Sequence, residues 1–377
     1  MKSMNSMTLA VSLTFLSALC GVNAQRKPID RPPRFARAST RHNLSYLQIR
    51  GRVQAQFGMT DTDNDADAGS YSTFEIRRAR IGLRGTLFDN VRAQLEANLV
   101  PGSDLSMRSA FLEWREHKAA YLKLGYDKPR FGFEENTSSA AILTVERTAI
   151  NNMLAPGAQT GLSLAGGLER LSYAAGLYTD RHNRNADRDD SYLFNASAGL
   201  SLDKLIGDAN LRLRADYLAS DDEGGNFGGS FEDALAFSVH YALNRFDVRA
   251  EYMTGDNDGN SVHGFYVTPS VFVSDNVQLV GRFEQADSDR ARGIRAPGRY
   301  MQRADGLAVI DADEDAGTPR IDPQRGDGYT AFYVGANYYL NGHNHKVMTG
   351  VEVAELDNTD AGTLSGATAY CAWRMLF

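Results

Sequence analysis

The sequence predicts an all-β fold, a transmembrane antiparallel β-barrel of about sixteen strands with an inward-folded third long loop. Three observations carry the prediction. Apolar and polar residues alternate with a period of two from Leu44 to the last residue, Phe377. The connections between the alternating segments are short and long by turns. The final segment ends the chain on an aromatic side chain. A soluble chain of 377 residues would be expected to divide into two or more cores, and no such division is visible. No later run approaches the roughly 18 apolar residues of a spanning helix.

Residues 1–24 read as a secretory signal, with Lys2 at its start, an apolar stretch Leu9 to Leu19, and Val22-Asn23-Ala24 as the small-residue cleavage site. Residues 25–43 form a basic Pro/Arg-rich periplasmic tail, where Arg26, Lys27, Arg31, Arg34, Arg37 and Arg41 stand against Asp30. Cys20 falls in the signal, which leaves Cys371 alone and no disulfide framework.

Residues 44–377 are the barrel domain. The alternation predicts strands over 45–58, 73–87, 90–99, 107–115, 119–126, 159–168, 171–179, 192–202, 209–219, 233–244, 246–254, 262–273, 275–285, 328–340, 346–355 and 367–377. Short connections such as Phe88-Asp89, Glu169-Arg170 and Arg245 alternate with long ones, richer in Asp, Gly and Asn, at 59–72, 100–106, 127–158, 180–191, 220–232, 255–261, 286–327 and 356–366. A soluble sandwich has no reason to sort its connections in this way, whereas a barrel with one end at each membrane face does.

The first two strands fix which face is which. Leu47, Ile49, Gly51, Val53, Ala55 and Phe57 share one parity and Tyr46, Gln48, Arg50, Arg52, Gln54 and Gln56 the other. In the second strand Ala79, Ile81, Leu83 and Leu87 oppose Arg78, Arg80 and Arg84. An arginine facing lipid at the bilayer midplane costs roughly 2–4 kcal/mol, so the arginines face the lumen. In the last strand Ala369, Cys371, Trp373, Met375 and Phe377 point outward, the pattern of a closing strand.

The same parity gives a channel-lining, anion-attracting set: Arg50, Arg52, Arg78, Arg80, Arg84, Arg92, Arg115, Lys123, Arg212, Arg214, Arg249, Arg282, Lys346 and Arg374. The inward acidic residues are half as many: Glu96, Glu113, Asp216, Asp247, Glu251, Glu284 and Glu352. The wall is therefore basic although the chain carries −7 overall, and the acidic excess belongs to the loops. Charges at the rim are screened over a Debye length of about 8 Å, so the wall dominates inside a narrow pore. An anion-attracting channel with an acidic mouth is expected. A barrel of 16 to 18 strands leaves room for such a channel.

The long connection 127–158 is expected to fold inward and narrow the lumen, with Lys128, Arg130, Glu134, Glu135 and Arg147 as its constriction charges. Two stretches resemble the phosphate-selective porin O and P family: FEIRRARIGLRGTL at 74–87 and LKLGYDKPRFGFEENTSSAAILTVERT at 122–148. Arg77, Arg78 and Arg80 match the first motif, and Lys128, Pro129, Phe131, Gly132, Glu146 and Arg147 the second. The resemblance implies a homotrimer of sixteen-stranded barrels in the outer membrane, among lipid and lipopolysaccharide, passing phosphate or other small anions. Here Asp127 stands before Lys128 where the family pattern has an aromatic, and the loop has no cluster of lysines. A general non-selective porin and a structural or adhesive barrel are the alternatives.

Competing chemistry is weakly represented. Asp61, Asp63 and Asp65 have the spacing of a calcium loop, but Ala66 occupies the glycine position and Ser72 the glutamate position. No serine sits in a nucleophile elbow and no His/Cys/Glu spacing suits zinc, so neither an enzyme nor a cofactor is expected. No nucleic-acid partner is expected.

Overall fold

A computed structural model of the chain describes residues 44–64, 68–117, 119–179, 192–203, 205, 207–220, 231–257, 260–289, 293–295, 300–304, 324–359 and 362–377. The signal, the basic tail and Asp65 lie outside the described residues. Sixteen strands close into one antiparallel barrel. In chain order these are β1 (Leu44–Asn64), β2 (Ala68–Leu87), β3 (Val91–Asn98), β4 (Ser106–Trp114), β5 (Tyr121–Asp127), β6 (Gln159–Leu168), β7 (Leu171–Thr179) and β8 (Tyr192–Ser201). They continue with β9 (Asn210–Ser220), β10 (Asp233–Leu243), β11 (Phe246–Asn257), β12 (Asn260–Phe272) and β13 (Val277–Ser288). A two-residue ladder, β14 (Ile294–Arg295) and β15 (Arg325–Gly326), stands apart, and β16 (Gly328–Asn341), β17 (His345–Asn358) and β18 (Gly362–Leu376) complete the wall.

Closure occurs where β1 pairs with β18, with Val53 opposite Met375 and Ala55 opposite Trp373. Gly51 donates to the Phe377 carbonyl at 2.8 Å and accepts from the Phe377 amide at 3.1 Å. A Cβ at Gly51 would stand 2.2 Å from the Phe377 ring, so glycine is required for the terminal aromatic to lie flat on the seam. Short connections use left-handed backbone at Phe88 (φ 49°), Glu169 (φ 47°) and Asn244 (φ 53°), which matches the strand twist in tight hairpins.

The outer surface carries the apolar half of the alternation: Ile49, Leu83, Leu112, Leu164, Phe237 and Val334 are all exposed. The wall has unequal height, from 20 residues in β2 and 21 in β1 to 7 in β5. The predicted loop 59–72 is largely strand, because β1 and β2 continue upward as a paired hairpin. Asp61 and Asp63 sit on that extension opposite Ser70 and Ala68, in a ladder that does not wrap an ion. Among the described residues no group of three or more His, Cys, Asp or Glu could hold a metal.

Two β-bulges shift the parity. Gln54 faces Arg78 and Ala55 faces Ile76, so Arg77 is an extra residue in β2. Glu96 faces Ser109 and Ala97 faces Met107, so Arg108 is an extra residue in β4. A bulge bends the strand and re-aims the side chain it carries.

The barrel interior is filled on one side. Helix α1 (Phe133–Asn136) and helix α2 (Ala149–Leu154) belong to the connection after β5 and lie within the barrel. Ile150 and Leu154 of α2 are fully buried in one cluster with Phe131, Leu193, Met253, Val262 and Leu356. Burying each of these aliphatic side chains contributes about 1.5–3 kcal/mol. The segment between β13 and β16 also enters: Tyr300 packs under Gly58 and against Tyr71 and Tyr370, and donates to Glu75 at 3.2 Å. That second inward segment departs from the expectation of a simple surface loop.

Candidate functional site: the channel lumen

The inward loop is tied by its backbone to the far wall, opposite the strands that precede it. Gly132 donates to Asp216 at 3.0 Å and Glu134 to Glu251 at 3.3 Å, while Ile150 donates to Glu284 at 3.2 Å. From β13, Arg282 donates to the carbonyl of Glu146 at 2.9 Å and pairs with Glu352 of β17. Lys346 reaches the carbonyl of Ile142 at 2.8 Å, and Arg374 the carbonyls of Ser139, at 2.7 Å, and Val145. Lys346 and Arg374 are 0% and 1% exposed, so their charges are sealed beneath the loop. Arg282, Lys346 and Arg374, expected along the channel, are buried against the loop and do not border the large cavity described next.

Between the loop and β1 to β5 lies a cavity of ≈ 820 Å³. Twelve basic and four acidic side chains line it. β1 supplies Arg50 and Arg52, β2 supplies Arg78, Arg80 and Arg84, and β3 supplies Arg92. Arg115 and Lys123 enter beside the β4–β5 connection, and Lys128, Arg130 and Arg147 enter from the loop. The twelfth is Arg108. Several are neutralised: Arg92 and Arg115 share Glu113, Lys123 pairs with Asp127 at 2.9 Å, and Lys128 and Arg147 share Glu135. Arg80 lies 3.6 Å from Glu96. Arg50, Arg52, Arg78, Arg84, Arg108 and Arg130 form no ion pair with any described residue. Arg52 instead donates to Ser138 and Ser139 of the loop, and Arg78 to Gln54 at 3.1 Å.

The other expected positions fall elsewhere. Arg212 pairs with Asp203 at 3.5 Å beside the β8–β9 turn, Arg214 with Asp216 at 2.7 Å, and Arg249 with Asp247 at 2.9 Å. None of the three borders the large cavity. Glu134, expected at the constriction, accepts from Thr148 Oγ1 at 2.7 Å and Thr148 N at 3.0 Å, which fixes the loop's own fold. Arg77 and Arg108 were missed by the alternation because each sits on a bulge. The signal that finds them is energetic: an arginine assigned to lipid is too costly to leave there, and a bulge is the local remedy.

Arg77 makes the best-formed contact in the lumen, with Nε to Glu146 Oε1 at 2.8 Å and Nη2 to Oε2 at 3.1 Å, while Gln56 donates to the same carboxylate at 2.8 Å. Burial opposes the charge on Glu146, yet the Arg77 guanidinium, with help from Arg78 and Gln56, holds its carboxyl well below the usual carboxylate range. The folded value is thus lower than the unfolded one, which is about 4.3. The stabilisation is complete above the unfolded value and is lost only as pH falls through the lower folded value. The Arg77–Glu146 pair is therefore expected to persist at pH 4. Glu146→Gln is expected to give unsteady conductance at pH 7, and steps as steady as those of the parent protein would contradict the assignment.

This arrangement, a large β-barrel with an inward loop beside a basic cavity, has a counterpart among known families. A family model for phosphate-selective porin O and P matches residues 47–265. The chain belongs to that family. Solved structures with the same fold include the anion-selective porin of Comamonas acidovorans, at 11% identity and a TM-score of 0.58 over 87% of this chain and 99% of that one. The channel DcaP of Acinetobacter baumannii aligns at 12% identity and a TM-score of 0.55, over 88% and 97%. A loop-deletion variant of OmpT from Vibrio cholerae aligns at 14% and 0.54, over 87% and 99%. No match is found among the curated proteins. The porin resides in the outer membrane, and its architecture is that of a channel.

Proposed function

We propose that the porin is an anion-preferring diffusion channel for phosphate or other small oxyanions. The observation that carries this reading is the lining of the cavity, twelve basic side chains against four acidic, with six arginines left without an acidic partner among the described residues. Guanidinium groups suit phosphate and carboxylate oxygens, and in a water-filled path they attract an anion without holding it tightly. The anion-selective porin of Comamonas acidovorans carries the same fold, and an OmpT structure from Vibrio cholerae is described as a trimer. On the same grounds the porin functions as a homotrimer surrounded by lipid and lipopolysaccharide, after removal of residues 1–24.

Reconstitution in a planar bilayer tests the reading. Large ohmic steps are expected, and across a KCl gradient the zero-current potential takes the sign of an anion-preferring pore. Arg80→Ala with Arg84→Ala should weaken that preference while the assembly survives. Cation preference in the parent protein would overturn the proposal, and the absence of conductance would favour a closed structural barrel.

A further inference from the structure

The connection between β13 and β16 is the second segment inside the barrel, and it lies directly on the first. Along β1 the inward side chains meet the two segments in order. Gln54 donates to the Ser139 carbonyl of the loop at 3.3 Å, and two residues on, Gln56 donates to Glu146 at 2.8 Å. Gln56 also donates to the Tyr300 hydroxyl at 2.9 Å, and Gly58 faces the Tyr300 ring. Farther along, Gly366, opposite Thr62 across the closing seam, faces Met301. The turn at 300–304 therefore covers the loop on the side of the long connections, toward the β1–β2 hairpin.

The same connection touches the loop again from β14. Ile294 is fully buried in the cluster that seats Ile150 and Leu154, and β14 lies against α2. Tyr300 is fully buried as well, in a cluster with Leu143 and Val145 of the loop and with Tyr333 and Tyr370 of the wall. Its ring is tilted against Tyr71 and edge-on to Tyr370, with centroids 6.4 and 5.7 Å away. Only glycine at position 58 leaves room for that ring, because a Cβ there would stand 2.3 Å from it. The polar end of the contact is shared. An amide nitrogen carries two hydrogens, and Gln56 gives one to Tyr300 and one to Glu146. The Tyr300 hydroxyl passes its own hydrogen to Glu75 at 3.2 Å.

We infer that this connection is a strap that locks the inward loop, with Tyr300 as its pin, so that the conducting state of the pore is set from the end of the barrel that carries the long connections. Tyr300 stands between that end and the limb of the loop that holds Leu143, Val145 and Glu146, and both its ring and its hydroxyl are engaged by the wall. Lifting the strap uncovers Val145 and withdraws the acceptor that orients Gln56, which leaves the limb to its ionic anchors. The inference does not depend on which ions the pore prefers.

The test is the frequency of transitions between conductance levels in single-channel records of the parent porin, Tyr300→Ala, Gly58→Ala and Tyr300→Phe. Emptying the seat of a buried aromatic ring should raise that frequency at least about tenfold in Tyr300→Ala. Gly58→Ala should do the same with every residue of the strap intact, because the added methyl group takes the place of the ring. Tyr300→Phe keeps the ring and should give a smaller rise. A strap that flickered without moving the loop would also make the record unsteady, and Tyr300→Phe combined with Glu146→Gln separates the two cases. Coupling through Gln56 should make the combined change smaller than the product of the separate ones. Steps as steady as the parent's in both Tyr300→Ala and Gly58→Ala would overturn the inference, since the wall anchors would then hold the loop alone. So would independent, multiplying effects in the combined variant. Should Tyr300→Ala fail to assemble, Gly58→Ala and the Tyr300→Phe cycle decide the matter, and conductance steps show that each barrel has folded.

Discussion

Arg282→Ala is expected to release the inward loop and enlarge the pore while leaving the barrel closed. Arg282 is 5% exposed, pairs with Glu352, and donates to Thr144 at 3.2 Å and to the Glu146 carbonyl at 2.9 Å. Truncation strands Glu352 and Glu284 behind the loop without their counter-charge, and removing one partner of a buried pair costs about 3–5 kcal/mol. The strand ladders from β1 to β18 do not depend on that pair, so the loop is the element that yields. Single-channel conductance should rise, and protease added to the assembled porin should cut within 138–148. Arg282→Met combined with Glu352→Gln removes both charges and should cost less than either change alone predicts. Unchanged conductance and an uncut loop in Arg282→Ala would mean that the apolar seat of Ile150 and Leu154 holds the segment by itself.

That experiment separates two kinds of inward arginine which no alternation can tell apart. Parity reports the face of a strand, and it turned Arg374, Arg282 and Arg80 alike toward the lumen. What each does there depends on where residues 127–158 lie, and Arg374 reaches Ser139 across 235 positions of chain. Such contacts follow from tertiary packing and leave no local signature. The strands were legible because the lipid imposes the same rule on every residue of the outer surface, as Leu83 and Phe237 illustrate. The bulges at Arg77 and Arg108 were legible in principle, since each arginine broke the rule at a cost of roughly 2–4 kcal/mol. The entry of Tyr300 beneath Gly58 had no such marker, because a tyrosine in a polar connection violates nothing.

Charge that remains in contact with the path is where function should respond most. Arg50→Glu, Arg84→Glu and Arg108→Glu together change the lining from twelve basic and four acidic side chains to nine and seven. None of the three has a described partner to strand, so folding should be preserved. A unit charge about 7 Å from an ion in a water-filled pore is worth about 0.6 kcal/mol before screening, close to a threefold change in partition. Six units of change, reduced by a Debye length of about 8 Å, should lower the anion-to-cation permeability ratio at least about tenfold. The zero-current potential in a KCl gradient reads that ratio directly, and lowering the salt should widen the difference from the parent. Arg282→Met, Arg374→Met and Lys346→Met remove charge from beneath the loop, and any of them that leaves the loop seated should barely move the potential. If those buried substitutions altered selectivity as strongly as the exposed ones, the summed field of the barrel, more than the side chains along the path, would set the ion preference.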